Sequence, residues 1–319
     1  MVEVPDGRDV AVPGSTRETY DACFERGHHF RLFDRPGIFR VSQAGLALGD
    51  YLVRSLCKSD LAGHILEIGT GSGAIALLLR GMGATSVTAT DISASAVSTA
   101  RQNELANFGD STIDFWHSDL YPTSENGEQR LFDLIVFNPP GWRTPSEPFI
   151  AELKQKHRSL DLDAMFYGDS VLLRFLQQLP QHLTANGRAI VGLNSLIGIA
   201  DIFARSRLAH PPPGGKIIQS RLLERIEIPL LFYTSEWLEV RSHLLEQFEK
   251  GRQEYAATYV TKGDTIHWFY EITEVTVEEK ATGSLLPRVN EQPSTSARLR
   301  PFAGETAELT SAALRVSEA

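Results

Sequence analysis

An α/β fold on a doubly wound, mainly parallel sheet is what the sequence predicts, from three observations. Short apolar runs of strand length alternate with helical segments between His64 and Asn194. A glycine-rich turn joins the first of those strands to the first helix. Leu172, Phe175, Leu176, Leu179 and Leu183 fall at offsets 0, 3, 4, 7 and 11, one face of a 3.6-residue period.

Taken in order, residues 1–20 are polar, with Pro5, Pro13 and Gly14, and read as a loosely ordered lead-in. His29 to Val41 alternates around Phe30, Leu32, Phe33, Ile38 and Phe39, which suggests short strands or turns broken at Pro36-Gly37. Ser42 is placed to cap a helix through about Cys57, with Ala44, Leu46, Leu48, Leu52 and Leu56 as its apolar positions. These first 60 residues are expected to cover a larger unit. HILEIG (64–69) is a strand, GAIALLLRGM (73–82) a helix and SVTATD (86–91) a second strand. A helix over 93–108 opens at Ser93, turns Ala94, Val97, Ala100, Leu105 and Phe108 inward, and stops at Gly109. IDFWHSD (113–119) and FDLIVFN (132–138) are the third and fourth strands. A helix from about Asp169 to Ala185, kinked at Pro180 and ended by Asn186-Gly187, precedes strand RAIVGLN (188–194).

Beyond it come a helix over 196–208, the loop HPPPGG (210–215), and strands ERIEIPLLFY (224–233) and DTIHWFYEITEV (264–275) around a helix near 236–253. From about Glu279 the composition turns to Ser, Thr, Glu, Pro and Arg, which reads as a flexible tail with one weak helix near 306–316. The expected organisation is a cover over 1–60, a principal domain over 61–279 and a tail over 280–319.

Composition narrows the function classes. The chain has 319 residues, 42% of them apolar, which supplies a sizeable core and excludes wholesale disorder. Its 31 basic and 40 acidic side chains leave a net charge of −9, which argues against binding nucleic acid mainly by neutralising phosphates. The two cysteines, Cys23 and Cys57, are too few for a disulfide scaffold or a four-thiolate zinc site. A reducing, cytoplasmic home is the expectation, with no metal, because the nine histidines form no credible ligand cluster. The start has neither a basic nor an apolar signal region, and no stretch reaches the ~20 apolar residues of a membrane helix, so a soluble chain with no membrane partner is expected.

Three motifs carry chemistry. Glu67-Ile-Gly69-Thr-Gly71-Ser-Gly73-Ala74 lies on a strand-to-helix turn, where glycines permit a tight backbone and close approach of a ligand, and the helix start offers N–H groups to an anion. Gly69, Gly71 and Ala74 also satisfy the dinucleotide fingerprint, so an NAD-type cofactor stays open on this motif alone. Glu67 interrupts Ile65, Leu66 and Ile68 on a strand that should be buried, where an unpaired carboxylate is costly. A cationic ligand group, or a structural arginine or backbone partner, would offset that cost; a pyrophosphate would not. Asp91, 22 residues after Gly69, ends the second strand, where a carboxylate can accept from both ribose hydroxyls; the alternative is a helix N-cap. Asp119 ends the third strand, in reach of an adenine amino group or as a turn residue before Leu120-Tyr121-Pro122.

The third motif is Asn138-Pro139-Pro140 at the end of the fourth strand. Two prolines fix φ and strip the loop of N–H donors, so carbonyl oxygens are presented rigidly, and Asn138 adds a side-chain carbonyl. With the glycine motif and Asp91 at these spacings, the chain over roughly 38–200 resembles the S-adenosylmethionine-dependent methyltransferases of the Rossmann-like class. Within them it is similar to the amino-methylating branch, which includes release-factor and ribosomal-protein glutamine methyltransferases.

The resemblance implies a Rossmann-like, doubly wound, seven-stranded sheet, mostly parallel with an antiparallel last strand, and S-adenosyl-L-methionine as cofactor. It places Glu67 near the cofactor's ammonium, Gly69, Thr70, Gly71 and Gly73 along its methionyl part, Asp91 at its ribose and Asp119 at its adenine, with Ile92, Leu120 and Asn138 also cofactor-binding and Phe39 as a lid. Asn138, Pro139 and Pro140 would orient an acceptor nitrogen, with Trp142 as a catalytic-site aromatic. The family usually has Tyr or Phe directly after the second proline; here Gly141 intervenes, so either Trp142 supplies the ring face from one position later or the acceptor differs. The helical docking domain shared by bacterial release-factor enzymes has no counterpart in the lead-in. The implied acceptor is a protein glutamine or a small-molecule nitrogen, with an RNA or DNA base as the alternative. A non-catalytic module of the same fold, binding a cofactor or partner, is the reading from another class. The 143–168 region, with Lys154, Lys156, His157 and Arg158, is expected to form a loop over the acceptor, its basic run a solvated face. His28-His29 reads as a surface pair.

Overall fold

The structure, a computed structural model, describes residues 18–122, 129–144, 146–156, 162, 165–208, 216–231, 238 and 241–278. An antiparallel hairpin of β1 (Thr19–Cys23) and β2 (His29–Phe33) comes first. Helix α1 (Gln43–Ser55) follows, opened by Ser42, whose hydroxyl accepts from the Gly45 N–H at 3.1 Å, and the short α2 (Lys58–Leu61) leads into the sheet. The sheet strands, with the helices between them, are β3 (His64–Ile68), α3 (Ala74–Gly81), β4 (Ser86–Asp91), α4 (Ala94–Phe108), β5 (Asp114–His117) and β6 (Phe132–Phe137). Then come α5 (Glu147–Lys156), α6 (Gly168–Gln178), β7 (Leu183–Asn194), α7 (Ile199–Leu208), β8 (Ile217–Pro229), α8 (Arg241–Tyr255), β9 (Tyr259–Lys262) and β10 (Thr265–Glu278).

The strand order is β5-β4-β3-β6-β7-β10-β8, with β9 paired to β10. Pairs from β5 to β7 are parallel, and β10 runs antiparallel to both β7 and β8. This is the doubly wound, mostly parallel sheet expected, with the last described strand reversed; among the described residues β9 adds an eighth strand to the seven. Strand order reverses between β3 and β6, the place where open α/β sheets leave a crevice at the carboxyl ends of their strands. Ile68 and Phe137 are register partners there, so Gly69 and Asn138 emerge side by side.

Three apolar clusters hold the fold. One face of the sheet packs α3 and α1, with Leu48, Leu52, Ile65, Leu77 and Tyr270 buried together. Phe24, Phe30 and Leu32 of the hairpin belong to the same cluster. The other face packs α6 and α7 through Leu172, Phe175, Leu176 and Phe203. A third cluster gathers Trp142, Phe149, Phe166, Leu244 and Phe248 from α5, α8 and the segments between.

Several expectations need correction. The helix expected to reach Ala185 ends at Gln178; Leu179–Gln181 form a 3₁₀ turn around Pro180, which lacks an N–H, and β7 already begins at Leu183, paired with Phe132. Leu183 thus owes its burial to a strand, and its helical offset was coincidental. β8 starts at Ile217, seven residues before the expected Glu224, and ends at Pro229, since the antiparallel partner β10 supplies hydrogen bonds along its whole length. The helix expected from 196 is a 3₁₀ turn over Ser195–Ile197 and then α7. The helix expected near 236–253 is α8, which ends at Tyr255. The 143–168 region contains α5 where a loop was expected; His157 and Arg158 lie outside the described residues, as do 1–17, the HPPPGG loop from 210 and everything beyond 278.

Helix α4 carries the most instructive difference. Leu105 is 55% exposed and Ala94 is exposed, while Asn103 and Glu104 are fully buried. Glu104 accepts from the Thr112 and Ile113 N–H groups, both at 2.8 Å, and pairs with Arg80. Asn103 donates to the Ser72 carbonyl at 2.8 Å and accepts from the Phe33 N–H at 2.8 Å. The inner face of α4 is therefore partly polar, clipping the hairpin to the glycine turn.

Candidate active site

Glu67, at the end of β3 between Leu66 and Ile68, is 4% exposed. Its Oε2 and the Thr70 Oγ1 are buried without a hydrogen-bond partner among the described residues. Burial pushes the Glu67 carboxyl up to about 8, the Thr70 hydroxyl beside it opposes that shift, and the Asp91 charge adds to it.

Gly69 and Gly71 adopt left-handed φ values of 70° and 53°, which favour residues without Cβ. A Cβ on Gly71 would meet nothing within 4 Å, so the turn opens onto free space. Gly73 has another reason for being glycine: a Cβ there would come within 2.9 Å of Ala100 Cβ on α4. Close packing of α3 on α4 thus requires glycine at this end of the turn. The loops after β3, β4 and β5 are laced by main chain: Thr70 N–H donates to Thr90 O (2.9 Å), Ser118 N–H to Asp91 O (2.9 Å), and Thr90 Oγ1 to Leu120 O (2.6 Å).

Asp91 accepts from the Gly71 N–H through Oδ2 and from the Ser93 N–H through Oδ1, each at 2.8 Å. Ser93, not Asp91, caps α4, its hydroxyl accepting from Ala96 N–H. A carboxylate has about four acceptor positions, so Asp91 retains capacity for hydroxyl donors beside the glycine turn. Ile92, 66% exposed, presents an apolar face next to it. Asp119 forms an ion pair with Arg174 of α6, and Leu120 turns its side chain into the core, leaving only its backbone to the crevice. Phe39 is 38% exposed on the segment between β2 and α1. That segment is tied over the glycine turn by Tyr20, which donates to Ser72 Oγ at 3.1 Å and accepts from Val41 N–H at 3.3 Å.

Across the crevice, Asn138 is half-buried and Pro139 buried. Asn138 Oδ1 accepts from the Tyr270 hydroxyl at 2.8 Å. Gly141 is explained by a close neighbour, because a Cβ there would lie 2.7 Å from Asn194 Nδ2. Trp142 corrects the expectation of an aromatic facing an acceptor. It is 5% exposed, with its ring edge-on to Phe166 (5.2 Å) and Phe248 (5.7 Å), so it is an anchor for α5 and α8. Its backbone bonds with Met165 and Gly168 brace the loop. Tyr20, Asn103, Asn194 and Tyr270 went unnoticed in the sequence; each contacts a motif more than 20 residues away. Among the described residues, no group of three or more His, Cys, Asp or Glu gathers as for a metal ion, and no helix is long and apolar enough to cross a membrane.

Residues 29–149 match the family described as methyltransferase small domain, so the resemblance drawn from the motifs holds. Among relatives, a Methanocaldococcus jannaschii protein assigned by name to the protein N5-glutamine methyltransferases is 33% identical over 134 residues, 42% of this chain and 63% of that protein. A tRNA1(Val) (adenine(37)-N6)-methyltransferase from a Flavobacteriaceae bacterium is 36% identical over 124 residues, 38% of this chain and 50% of that one. The release factor glutamine methyltransferase of Flavobacterium psychrophilum is 33% identical over 143 residues, covering 42% and 47%. The chain thus spans about half to two-thirds of the length of these curated relatives.

Proposed function

We propose that this protein is an S-adenosyl-L-methionine-dependent N-methyltransferase whose acceptor is an amide or amine nitrogen held at Asn138-Pro139-Pro140. One observation carries the reading: β3 and β6 end as register partners, so a buried, cation-seeking Glu67 with its open glycine turn stands beside a rigid carbonyl-presenting loop. The residues fit the cofactor. Glu67 would face its ammonium, the turn from Gly69 to Gly73 its methionyl chain, and Asp91 its ribose, with Ile92 and Phe39 as apolar cover. Asp119 would reach adenine while paired with Arg174. When bound, the cofactor would supply an electrophilic methyl on sulfur for the acceptor nitrogen. The chain's own work is positioning and electrostatics: carbonyl oxygens of Asn138 and Pro139 accept the nitrogen's hydrogens and turn its lone pair toward the methyl.

Residues 61–279 would form the catalytic domain with 1–60 built onto it, and 280–319 a tail. Both cysteines are free and exposed, which suits a reducing cytoplasm. Protein glutamine or a small-molecule nitrogen is the favoured acceptor, supported by the glutamine-methylating relatives and the charge of −9. The relative that methylates tRNA adenine keeps a base as the alternative. The test incubates the protein with labelled methyl donor and fractionated extract. Label in protein or metabolites supports the favoured acceptor, label in RNA replaces it, and turnover unaltered in Asn138→Ala rejects the Asn-Pro-Pro site.

A further inference from the structure

We infer that Tyr270 is a positioning residue for the acceptor site, its hydroxyl locking the Asn138 side-chain amide by its oxygen; this rests on the proposed methyltransferase reading. Tyr270 comes from β10, 132 residues along the chain from Asn138. Its Cα pairs with Asn194 of β7, and its side chain leans across that strand to reach the end of β6. The ring is 2% exposed. A buried hydroxyl must donate, and Asn138 Oδ1 is the acceptor the structure provides, at 2.8 Å. Flipping the Asn138 amide would set its NH₂ against that O–H and leave the buried hydroxyl proton without an acceptor. The flip therefore costs a hydrogen bond, and the oxygen stays where Tyr270 holds it. One lone pair of Oδ1 is taken; the other remains for an acceptor N–H.

A further feature is arranged for this contact. At position 192 of β7 a Cβ would lie 1.7 Å from the Tyr270 Oη and 2.4 Å from its Cζ, so the strand carries glycine where the phenol crosses it. Burial also raises the phenol well above its usual range, so it remains a proton donor across the working pH range. An Asn alone on a loop end would sample both amide orientations; the Tyr270 bond selects one before any acceptor arrives, at no cost of ordering during the reaction.

Tyr270→Phe keeps the ring and deletes the bond. The expected result is kcat lower by about 10- to 100-fold, with S-adenosylmethionine affinity by calorimetry unchanged. In an Asn138→Ala background the same substitution should add no further loss, because the group it positions is gone. A purely structural role would instead move stability alone, or multiply with Asn138→Ala. A second readout does not need turnover: the Asn138 side-chain NH₂ pair in a ¹H–¹⁵N spectrum should shift in Tyr270→Phe and in Gly192→Ala. Unaltered kcat, independent multiplication, or an unmoved Asn138 amide overturns the inference. A wild-type protein that transfers methyl to no acceptor fails the functional reading instead, while the amide resonance still decides whether Tyr270 holds Asn138.

Discussion

The two sides of the crevice are built by different means. The side proposed for the cofactor, from Glu67 to Leu120, is laced mainly by main-chain bonds between adjacent parallel strands, such as Thr70 N–H to Thr90 O, with Tyr20 and Asn103 reaching Ser72 from outside it. The side proposed for the acceptor depends more heavily on side chains from far along the chain: Tyr270 on Asn138, Asn194 over Gly141, and Phe248 against Trp142. A site fixed by backbone geometry tolerates sequence change in its surroundings, whereas one fixed by distant side chains can be retuned by single substitutions. That difference fits relatives whose names include both glutamine and tRNA adenine methylation.

The contrast can be broken most severely at Gly71. Gly71→Arg places a long side chain in the open turn at a left-handed φ of 53°, and calorimetry should find no binding of S-adenosylmethionine in a protein that remains folded by circular dichroism. Full binding would show that the turn is not the cofactor site. The opposite lesion is Trp142→Ala, which empties the centre of the aromatic cluster. Urea unfolding should show a loss of about 3–5 kcal/mol, while the folded fraction still binds cofactor, because the main-chain lacing of the other side is untouched.

The smallest effect, and the sharpest on mechanism, concerns Glu67. Its carboxyl sits at about 8 in the free protein, raised above its unfolded value near 4.5. Through this group the free protein is most stable below the unfolded value and loses stability as pH rises toward 8, where the buried carboxyl must ionise. A bound ammonium favours the ionised form, so binding releases a proton, and affinity should fall about tenfold per unit as pH drops below 8. Glu67→Gln should flatten both dependences. An equal pH slope in the variant would assign the proton to another group.

Much of this was legible in the sequence because it is local. Strand–turn–helix periodicity, the Ser42 and Ser93 caps, and the spacing from Glu67 to Asp91 to Asn138 depend on neighbours within one element or one turn. The errors have a common origin in long-range pairing. Leu183 fitted a helical face yet is buried by Phe132, β8 extends because β10 runs beside it, and Leu105 yields the inner face of α4 to Asn103 and Glu104, whose partners lie on other elements. Trp142 looked like a site aromatic because it follows the prolines; its burial was decided by Phe166 and Phe248.

By itself, then, the sequence determined the order and type of the central strands and helices, the glycine turn that needs left-handed backbone, and the rigid Asn-Pro-Pro loop, since steric limits on φ and the period of apolar residues act along the chain. Only the tertiary structure decided that β3 and β6 end as neighbours, that Glu67 Oε2 is enclosed without a hydrogen-bond partner among the described residues, and that a tyrosine 132 residues away grips Asn138. Those are properties of space brought together by sheet pairing and burial, and no local spacing encodes them.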